Sequence, residues 1–329
     1  MLFDQETAMS AIRWGILSTG NMARQFVEDF QYSQGGILKA VCSRQQKDAE
    51  SFAGEFGLEY AYSSLDNMLE KGQVDIVYIA SPHSHHYDAA MTAIRAGIPV
   101  LCEKPMTLTL QETEALYEAA DKAGVFLMEA LWSRFNPAIA EAVDMVRQGR
   151  IGEVKSVQAN FGFAADVPDS HRLLNPALGG GALLDVGIYP LFLSLLMLGD
   201  VKKVQSRVET GATGVDLYED IWLEHEEGRT SSLTASIDRY LPNTAVISGS
   251  KGYIEFPSHW FAARSLRYYR EGEEAEWYSF DFPGNGWHFE ATHVNECLLS
   301  GQTKSPVYTP EDSIRLAATV DCLLAQWKS

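Results

Sequence analysis

The segment LSTGNMA, residues 17–23, follows an apolar run and has the spacing of a turn that could bind phosphate. In a dinucleotide-binding turn, small residues allow the tight bend, the close approach of the backbone to pyrophosphate, and the packing of the next helix. Ser18, Gly20 and Ala23 stand at these positions, and Ser18 departs from the usual glycine. The alternative is an ordinary strand-to-helix turn without a ligand. The backbone N–H groups predicted to face the anion lie at the helix N-terminus, at Asn21 and Met22.

The end of the second predicted strand bears on which dinucleotide such a turn would hold. A site for NAD(H) places an acidic residue there to bind the ribose hydroxyls. Here the strand ends in Ser43 and Arg44, Lys47 follows, and the first acid is Asp48. A 2′-phosphate would accept hydrogen bonds from the Ser43 hydroxyl and the planar Arg44 guanidinium, and Lys47 is a further predicted cofactor contact. The pattern predicts NADP(H) rather than NAD(H); the alternative is that Arg44 is a solvated surface residue.

The motif SPHSHH, residues 81–86, stands where the third predicted strand should end, at the edge where open parallel sheets bind ligands. Its three histidines raise the hypothesis of a metal site. His85 and His86 are adjacent, however, and no carboxylate or cysteine completes a ligand set, so we predict no metal. The residues predicted instead to cap the next helix and to pack on the cofactor are Ser81, Pro82, His83 and His86.

The tripeptide Glu103-Lys104-Pro105 stands where the fourth predicted strand should end. Glu103 and Lys104 are predicted to contact the cofactor, because ligands bind outside the carboxyl ends of such strands. A lysine beside a nicotinamide could hold a substrate hydroxyl or lower the pKa of a neighbouring acid. The alternative is a lysine exposed at the surface.

These motifs fall on an alternation of strands and helices in the first part of the chain. Short apolar runs, typical of strands buried on both faces, alternate with segments of helical apolar spacing. The alternation predicts a parallel, doubly wound sheet of the Rossmann type. The predicted strands are 12–17, 37–43, 74–81, 98–105 and 125–131, and the predicted helices are 21–32, 49–56, 65–69, 86–97 and 110–124.

After about residue 150, alternating and β-branched segments predict an open-faced, mostly antiparallel sheet with helices on one side. The apolar segment 179–199 between its first strands predicts a helix that begins at glycine. The change of pattern near Pro137 gives a Rossmann domain over 1–130 and a substrate-binding and oligomerisation α+β domain over 131–329. The predicted strands of the second sheet are 154–163, 201–210, 220–227, 229–238, 244–250, 252–257 and 265–270.

The bulk composition excludes several classes of protein. The 329 residues are 46% hydrophobic and 21% charged, as in globular proteins. The net charge of −18 argues against nucleic acid or an anionic membrane as a partner. We find no apolar stretch of the roughly 20 residues needed to span a bilayer. The first ten residues predict a short disordered lead without a secretory signal, in which Met9 could be the start.

The four cysteines are far apart and form no C-x-x-C pair. Their spacing predicts neither a zinc site nor a disulfide framework. A reducing cytoplasm is the compartment that fits this usage.

Longer motifs extend along nearly the whole chain: EALWSRFNP (129–137), GRIGEV (149–154), GGGALLDVGIYP (179–190), GSKGYIEF (249–256) and FEATHVNECLLSG (289–301). Together with the turn, SPHSHH and EKP, they resemble the glucose-fructose oxidoreductase, inositol dehydrogenase and rhizopine catabolism (Gfo/Idh/MocA) family. The resemblance implies a Rossmann domain followed by an open-faced sheet that forms a homo-oligomer, either dimer or tetramer. It also implies hydride transfer at a CH–OH carbon of a sugar, polyol or trans-dihydrodiol, without a metal.

Asp185 and Tyr189 lie four residues apart and therefore on one face of a helix. The tyrosine resembles the dihydrodiol dehydrogenase and D-xylose dehydrogenase branch of the family. That resemblance implies Tyr189 as general acid/base, Lys104 as its partner, and Asp185 as a residue that orients the substrate or the lysine. We expect the ammonium group to lower the pKa of the phenol toward the working range. The alternative for Tyr189 is a buried tyrosine with a satisfied hydroxyl, and the alternative for Asp185 is a helix cap.

Large side chains near the domain junction are candidates for the pocket wall, although aromatic residues also build cores. Two other functions stay open beside a dehydrogenase: a non-catalytic NADP(H)-binding sensor, and an oxidoreductase whose tightly bound cofactor couples two sugar reactions. The candidates for cofactor contact are Trp132 and Arg134, those for substrate contact are Trp132, Phe161, Trp260 and Trp287, and His288 is a further candidate.

Overall fold

A computed structural model describes residues 11–327. Its first sheet has six strands: β1 (Ile12–Leu17), β2 (Gly36–Cys42), β3 (Tyr60–Tyr62), β4 (Ile76–Ile79), β5 (Val100–Glu103) and β6 (Leu127–Ala130). All pairs are parallel, and the spatial order is β3-β2-β1-β4-β5-β6. This is the strand order of dinucleotide-binding Rossmann sheets, whose ligand crevice opens where the order reverses. Here the order reverses between β1 and β4.

Five helices connect these strands, as the alternating pattern predicts: α1 (Asn21–Phe30), α2 (Gln46–Phe56), α3 (Leu65–Lys71), α4 (His86–Arg95) and α5 (Leu110–Ala123). Local chemistry sets their ends. The Thr109 hydroxyl accepts a hydrogen bond from the backbone of Glu112 at the start of α5, and Gly124 ends that helix in the left-handed conformation. Strands β4, β5 and β6 are buried throughout. The sequence analysis missed β3, whose three residues are too few for a periodic signal.

The second sheet has eight strands: β7 (Val154–Gly162), β8 (Val201–Thr210), β9 (Asp216–His225), β10 (Thr230–Ser236), β11 (Ala245–Gly249), β12 (Gly252–Phe256), β13 (Ser265–Arg270) and β14 (Glu276–Ser279). Their order is β14-β13-β12-β11-β7-β10-β9-β8, and every pair is antiparallel except β7 with β10. A parallel sheet followed by a mostly antiparallel one confirms the predicted fold class. Of these strands, only the short β14 was missed.

Four longer helices accompany the second sheet: α6 (Pro137–Arg147), α7 (Ile188–Leu198), α8 (Trp287–Leu299) and α9 (Pro310–Trp327). Helix α7 packs on β7 and β10, and a π-helical turn, Leu183–Gly187, leads into it. Helices α8 and α9 return to the first part of the chain, where they contact α1 and α5. The two sheets are therefore joined by packed helices, and the boundary predicted at residue 130 stays a prediction.

The segment Pro176–Leu198 corrects our expectation that no stretch is apolar enough to span a bilayer. The segment has 23 residues, and its most apolar 18-residue window has a mean hydropathy of 1.9, so by length and composition it could cross a membrane. Asp185 interrupts the run of apolar residues, but it does not lower the mean hydropathy below that of a membrane-spanning segment. In the structure 89% of the apolar window is buried inside the protein, as in the core helix of a globular fold.

Two further expectations concern the first ten residues and the cysteines. The lead at residues 1–10, including Met9, lies outside the described residues. The four cysteines are free, with Cys42, Cys102 and Cys297 buried and Cys322 exposed.

Candidate active site

A cleft of about 1380 Å³ extends from the turn after β1, past the ends of the parallel strands, to the second sheet. It is the crevice that the reversal of strand order between β1 and β4 predicts. Most of the candidate residues line it: Ser18, Gly20, Asn21, Met22, Ser43, Arg44, Ser81, Pro82, His83, His86, Glu103, Lys104, Trp132, Phe161, Asp185, Tyr189 and Trp287.

The turn after β1 keeps the backbone of a glycine although its residue is serine. Ser18 has φ 109°, a region that side chains rarely adopt. Its hydroxyl compensates locally, because Oγ accepts a hydrogen bond of 3.1 Å from the Gly20 N–H. Gly20 is extended, and no side chain caps the first turn of α1. Uncapped N–H groups at a helix N-terminus beside a cleft fit a pyrophosphate.

The end of β2 supplies polar groups at the same end of the cleft. Ser43 Oγ lies 3.3 Å from Thr19 Oγ1, so the two loops meet there. Arg44 is exposed and lines the cleft, and Asp48 in the first turn of α2 lines it as well. Lys47, between them in sequence, is exposed and is not part of the lining.

Two of the three histidines of 81–86 are held by backbone carbonyls. His83 Nδ1 lies 2.8 Å from the Gly179 oxygen, and the two ring nitrogens of His86 lie 2.8 Å from the oxygens of Pro105 and Ser81. Burial lowers the pKa of His83 to about 3, so its ring is neutral. Within residues 11–327, no three His, Cys, Asp or Glu side chains are grouped to hold a metal ion.

Lys104, Asp185 and Tyr189 meet at the centre of the cleft. The Lys104 ammonium donates a 2.5 Å hydrogen bond to the backbone carbonyl of Asp185 and lies 4.7 Å from the centroid of the Tyr189 ring. The Asp185 carboxylate instead accepts from Arg172, at 2.9 Å. The Tyr189 hydroxyl accepts from the Trp132 indole N–H, at 2.9 Å. Asp185 therefore orients Lys104 through its backbone.

The π-helical turn explains why the Asp185 carbonyl is available. In an α-helix that carbonyl would accept from the N–H of Tyr189, and in the π register its partner moves to residue 190. Residue 190 is proline, which has no N–H. The Lys104 ammonium satisfies the carbonyl that this sequence leaves open.

The pKa of Tyr189 in the structure differs from our expectation. We expected the lysine to lower it, but it is raised well above 10.0. Burial is the main cause, the Glu103 carboxylate adds to it, and the Trp132 hydrogen bond opposes both. Burial also lowers the pKa of Lys104. The hydroxyl is therefore protonated at neutral pH.

The pKa values of two acids near Lys104 are shifted in opposite directions. Burial would raise the pKa of Asp185, but Lys104 and Arg172 together lower it, so the carboxylate stays ionised. Burial raises the pKa of Glu103 to about 6, although Lys104 opposes the shift. The Tyr78 hydroxyl donates to Glu103 at 2.5 Å and holds that side chain behind the site.

Aromatic rings form the wall of the cleft toward the second sheet. Trp132 and Trp287 lie with ring centroids 4.9 Å apart, and Phe161 stacks on Phe261 at 3.9 Å. Phe161 also lies 5.4 Å from the Tyr189 ring. The Trp287 indole N–H is buried and has no hydrogen-bond partner among residues 11–327. It is a donor that a ligand oxygen could satisfy.

Three further candidates are not brought to the cleft. Trp260 is fully buried, and its indole N–H donates to the Asn160 carbonyl. Arg134 is buried away from the lining, and His288 lies 3.4 Å from the Asp29 carboxylate. Lining residues that the sequence analysis did not select include Thr19, His171, Arg172, Phe261, Arg264 and Asn285.

Two family profiles match the chain. One, described as oxidoreductase family, NAD-binding Rossmann fold, matches residues 12–131, and the Gfo/Idh/MocA C-terminal domain matches residues 139–255. Trans-1,2-dihydrobenzene-1,2-diol dehydrogenase of Xenopus laevis is 35% identical over 331 residues, with 96% of this chain and 98% of that protein covered. The Mus musculus protein of the same name is 35% identical over 324 residues, with 94% and 95% covered.

Solved structures agree with this match. An aldose-aldose oxidoreductase from Caulobacter crescentus, complexed with glycerol, superposes with a TM-score of 0.88 at 27% identity, covering 96% of this chain and 97% of that one. A 3-ketoreductase from Actinomadura kijaniata, in complex with NADP and TDP-benzene, superposes with a TM-score of 0.85 at 28% identity, covering 95% and 96%.

The parallel sheet, its strand order and the cleft at the strand ends define a class, the oxidoreductases with an NAD(P)-binding Rossmann domain. Within that class, the chain belongs to the Gfo/Idh/MocA family. The family predicted from the motifs is confirmed.

Proposed function

We propose that this protein is an NADP(H)-dependent dehydrogenase or reductase acting on a CH–OH carbon of a sugar, polyol or trans-dihydrodiol. The observation that carries the proposal is the meeting of Lys104 and Tyr189 in the cleft that begins at the Gly20 turn. Relatives named as trans-1,2-dihydrobenzene-1,2-diol dehydrogenases support the diol, and one named as an aldose-aldose oxidoreductase supports the sugar.

The cofactor half of the cleft would hold the dinucleotide by its phosphates. The first-turn N–H groups of α1 would bind the pyrophosphate, and Ser43 with Arg44 would bind a 2′-phosphate. The residues at the ends of β4 and β5 would pack on the nicotinamide, namely Ser81, Pro82, His83, His86, Glu103 and Lys104. When bound, the cofactor supplies or accepts the hydride.

Tyr189 would move the proton. Its oxygen accepts from Trp132, so its own O–H is free to donate to a substrate carbonyl oxygen during reduction. In the reverse direction the phenolate would take the proton of a substrate hydroxyl, with the Lys104 charge near the ring to stabilise it. The aromatic wall, with the free Trp287 N–H, would bind the rest of the substrate.

Binding of the cofactor tests the proposal. Purified protein is titrated with NADPH and NADH, and we expect NADPH to bind at least about tenfold more tightly. Arg44→Ala should weaken NADPH binding, whereas Lys47→Ala is a matched control because that lysine does not line the cleft. Equal or tighter binding of NADH, or an equal loss in the two variants, would contradict the role of Arg44. No binding of either dinucleotide would contradict the proposal.

The substrate class needs a second experiment. With the preferred cofactor, turnover is measured on a panel of D-xylose, D-glucose, 1,5-anhydrofructose and trans-dihydrodiols, in the oxidised or reduced form as required. Tyr189→Phe is the control for chemistry at the proposed site. Bound dinucleotide without turnover of any compound would favour the sensor.

The second candidate is an oxidoreductase that keeps its cofactor and couples two sugar reactions, and the Caulobacter crescentus neighbour named as an aldose-aldose oxidoreductase supports it. Its test is the nicotinamide fluorescence and absorbance of freshly purified protein. A full complement of bound cofactor that survives gel filtration would favour this candidate over a freely exchanging dehydrogenase.

We also propose that the protein is a cytoplasmic homo-oligomer. The unpaired cysteines support a reducing compartment. The face of the second sheet that no helix covers within residues 11–327 supports the oligomer.

A further inference from the structure

Asp29 occupies a place that local rules disfavour for an acid. It lies in the last turn of α1, where the helix presents negative partial charge. Its side chain is only 2% exposed, and a buried carboxylate is costly unless hydrogen bonds satisfy it. Violations of local rules in an otherwise consistent sequence point to function. The contacts of this carboxylate show what it does for the fold.

The Asp29 carboxylate receives three successive backbone N–H groups from the start of α8. The N–H of Asn285 donates to Oδ1 at 2.8 Å, and those of Gly286 and Trp287 donate to Oδ2 at 2.7 and 2.9 Å. No side chain of its own segment caps α8, so the acid of α1 does so from another helix. The positive end of the α8 dipole favours the negative charge there.

The segment held in this way belongs to the cleft. Asn285 and Trp287 both line it, and Trp287 packs against Trp132 with centroids 4.9 Å apart. Trp132 in turn donates to the Tyr189 hydroxyl. An unbroken series of contacts therefore leads from α1, the helix after the turn at residues 17–23, to Tyr189, the proposed acid/base.

The glycine before this segment is adapted to the carboxylate. Gly284 has φ +66°, and a Cβ there would come within 2.3 Å of Asp29 Oδ1. Only a residue without a side chain lets the loop approach so closely.

We propose that Asp29 is a positioning residue for the substrate pocket. By fixing the backbone of 285–287 it sets the place of Trp287, and through Trp132 it sets the direction of the Tyr189 hydroxyl. Its effect on catalysis rests on the proposed function, whereas its effect on the paired indoles does not.

A second tie between α8 and the first sheet provides a matched control. Asn295, two turns further along α8, accepts from the Trp14 indole at 2.8 Å and donates to the Gln34 carbonyl at 2.7 Å. It docks the same helix on the same sheet, but it does not line the cleft. Loosening it tests what helix docking alone contributes.

The experiment compares Asp29→Asn with Asn295→Ala in the full chain. An amide cannot accept three N–H groups as a carboxylate does, so the start of α8 should shift. For Asp29→Asn we expect the KM of the substrate to rise and kcat to fall, each by about tenfold or more, because misplacement of the acid/base is costly. The affinity for NADPH should stay within about threefold of that of the native protein, because the turn at residues 17–23 lies at the other end of α1 from Asp29. Asn295→Ala should lower the Tm and leave KM unchanged.

The readout that needs no substrate is the exciton-coupled circular dichroism of the Trp132–Trp287 pair, with Trp287→Phe as the reference for its loss. Asp29→Asn should diminish that signal, and Asn295→Ala should keep it. If Asp29→Asn keeps the signal and KM, or if Asn295→Ala alters both equally, the positioning role is overturned. Gly284→Ala, which displaces the carboxylate from the loop side, replaces Asp29→Asn should that variant not fold. If Asp29→Asn loses the circular dichroism signal but even the native protein turns over no substrate, the proposed function is refuted and the positioning role of Asp29 is not.

Discussion

At the scale of the single residue, the hydroxyl of Tyr189 is the atom whose surroundings matter most. It accepts from Trp132 and belongs to the ring that faces Lys104. Burial first, and then nearby carboxylates, raise its pKa well above 10.0. Because the raised pKa keeps the proton on the oxygen, the free protein is prepared to donate it. Reduction of a carbonyl needs that donation, whereas oxidation of an alcohol needs the phenolate.

We predict that reduction and oxidation differ in their dependence on pH. Reduction should be nearly independent of pH in the neutral range, where Tyr189 is protonated, and oxidation should accelerate as pH rises toward and beyond 10.0. Tyr189→Phe should reduce kcat by about 10²–10⁴-fold and abolish the pH dependence of oxidation. The measurement is the pH profile of kcat in both directions. Tyr117→Phe, which alters a buried tyrosine outside the cleft lining, should retain activity.

The site residues illustrate what local sequence can and cannot predict. Lys104 and Tyr189 could be selected because motif and residue type agree. Trp260 and Phe261 could not be separated, since both are large aromatics in one irregular turn. Only the fold shows that Trp260 enters the core and Phe261 lines the cleft. Arg172 gave no signal, because its partner Asp185 lies thirteen residues away.

At the scale of the element, the turn Leu183–Gly187 determines how the site is assembled. Spacing of four residues predicts that Asp185 and Tyr189 share a helix face. The π register alters this arrangement, and Pro190 removes the N–H that would satisfy the Asp185 carbonyl. The carbonyl accepts a hydrogen bond from the Lys104 ammonium in its place.

We predict that Pro190→Ala weakens the link between the lysine and the turn. The new N–H at residue 190 would compete for the Asp185 carbonyl, and Lys104 would lose its place over the Tyr189 ring. We expect kcat to fall by about tenfold with little change in NADPH affinity, since only the catalytic groups move.

Steady-state kinetics and a cofactor titration measure the two effects of Pro190→Ala. The control is Pro137→Ala at the start of α6, where a backbone N–H would have no helical partner in any case. A variant Pro190→Ala with the kcat of the native protein would show that the proline does not hold the carbonyl free.

Elements of the first sheet were predictable because their periods and lengths agree. β1, β2, β4, β5 and β6 are apolar runs between recognisable caps and turns. β3 has only three residues, too few for any period to be seen. β14 has four, like β4, β5 and β6, but it is mostly exposed and lacks their buried apolar run. Strand β9 begins at Asp216, four residues before the predicted start, because the buried Glu219 interrupts the apolar alternation that Ile221 and Leu223 continue.

At the scale of the whole molecule, α7 covers one face of the second sheet, and within residues 11–327 no helix covers the other. On the uncovered face Trp222, Ser232 and Gln158 lie side by side in register, and the last two are exposed. Their neighbours along the strands, such as Leu223 and Leu233, are buried on the covered face. An uncovered face with an aromatic residue among small polar ones suits contact between copies of the chain.

We predict that the protein is at least a dimer through this face. Light scattering coupled to gel filtration should give a mass of two or four times 36.5 kDa. Trp222→Glu should shift the protein toward the monomer, because two carboxylates would be buried in a symmetric interface. Tyr240→Glu, which alters a loop residue that is 80% exposed, should not change the mass. A native protein that is monomeric at high concentration would contradict the prediction.

The sequence by itself determined the Rossmann order of elements, the family, and the residue types of the site, because these depend on short-range periodicity and on motifs of fixed spacing. The tertiary structure alone decided which aromatic residues reach the cleft, that Asp185 holds Lys104 by its carbonyl, and that Asp29 caps α8. Each of these depends on contacts between residues tens to hundreds of positions apart. The raised pKa of Tyr189 has the same origin, since it is produced by burial and by charges from distant strands and helices.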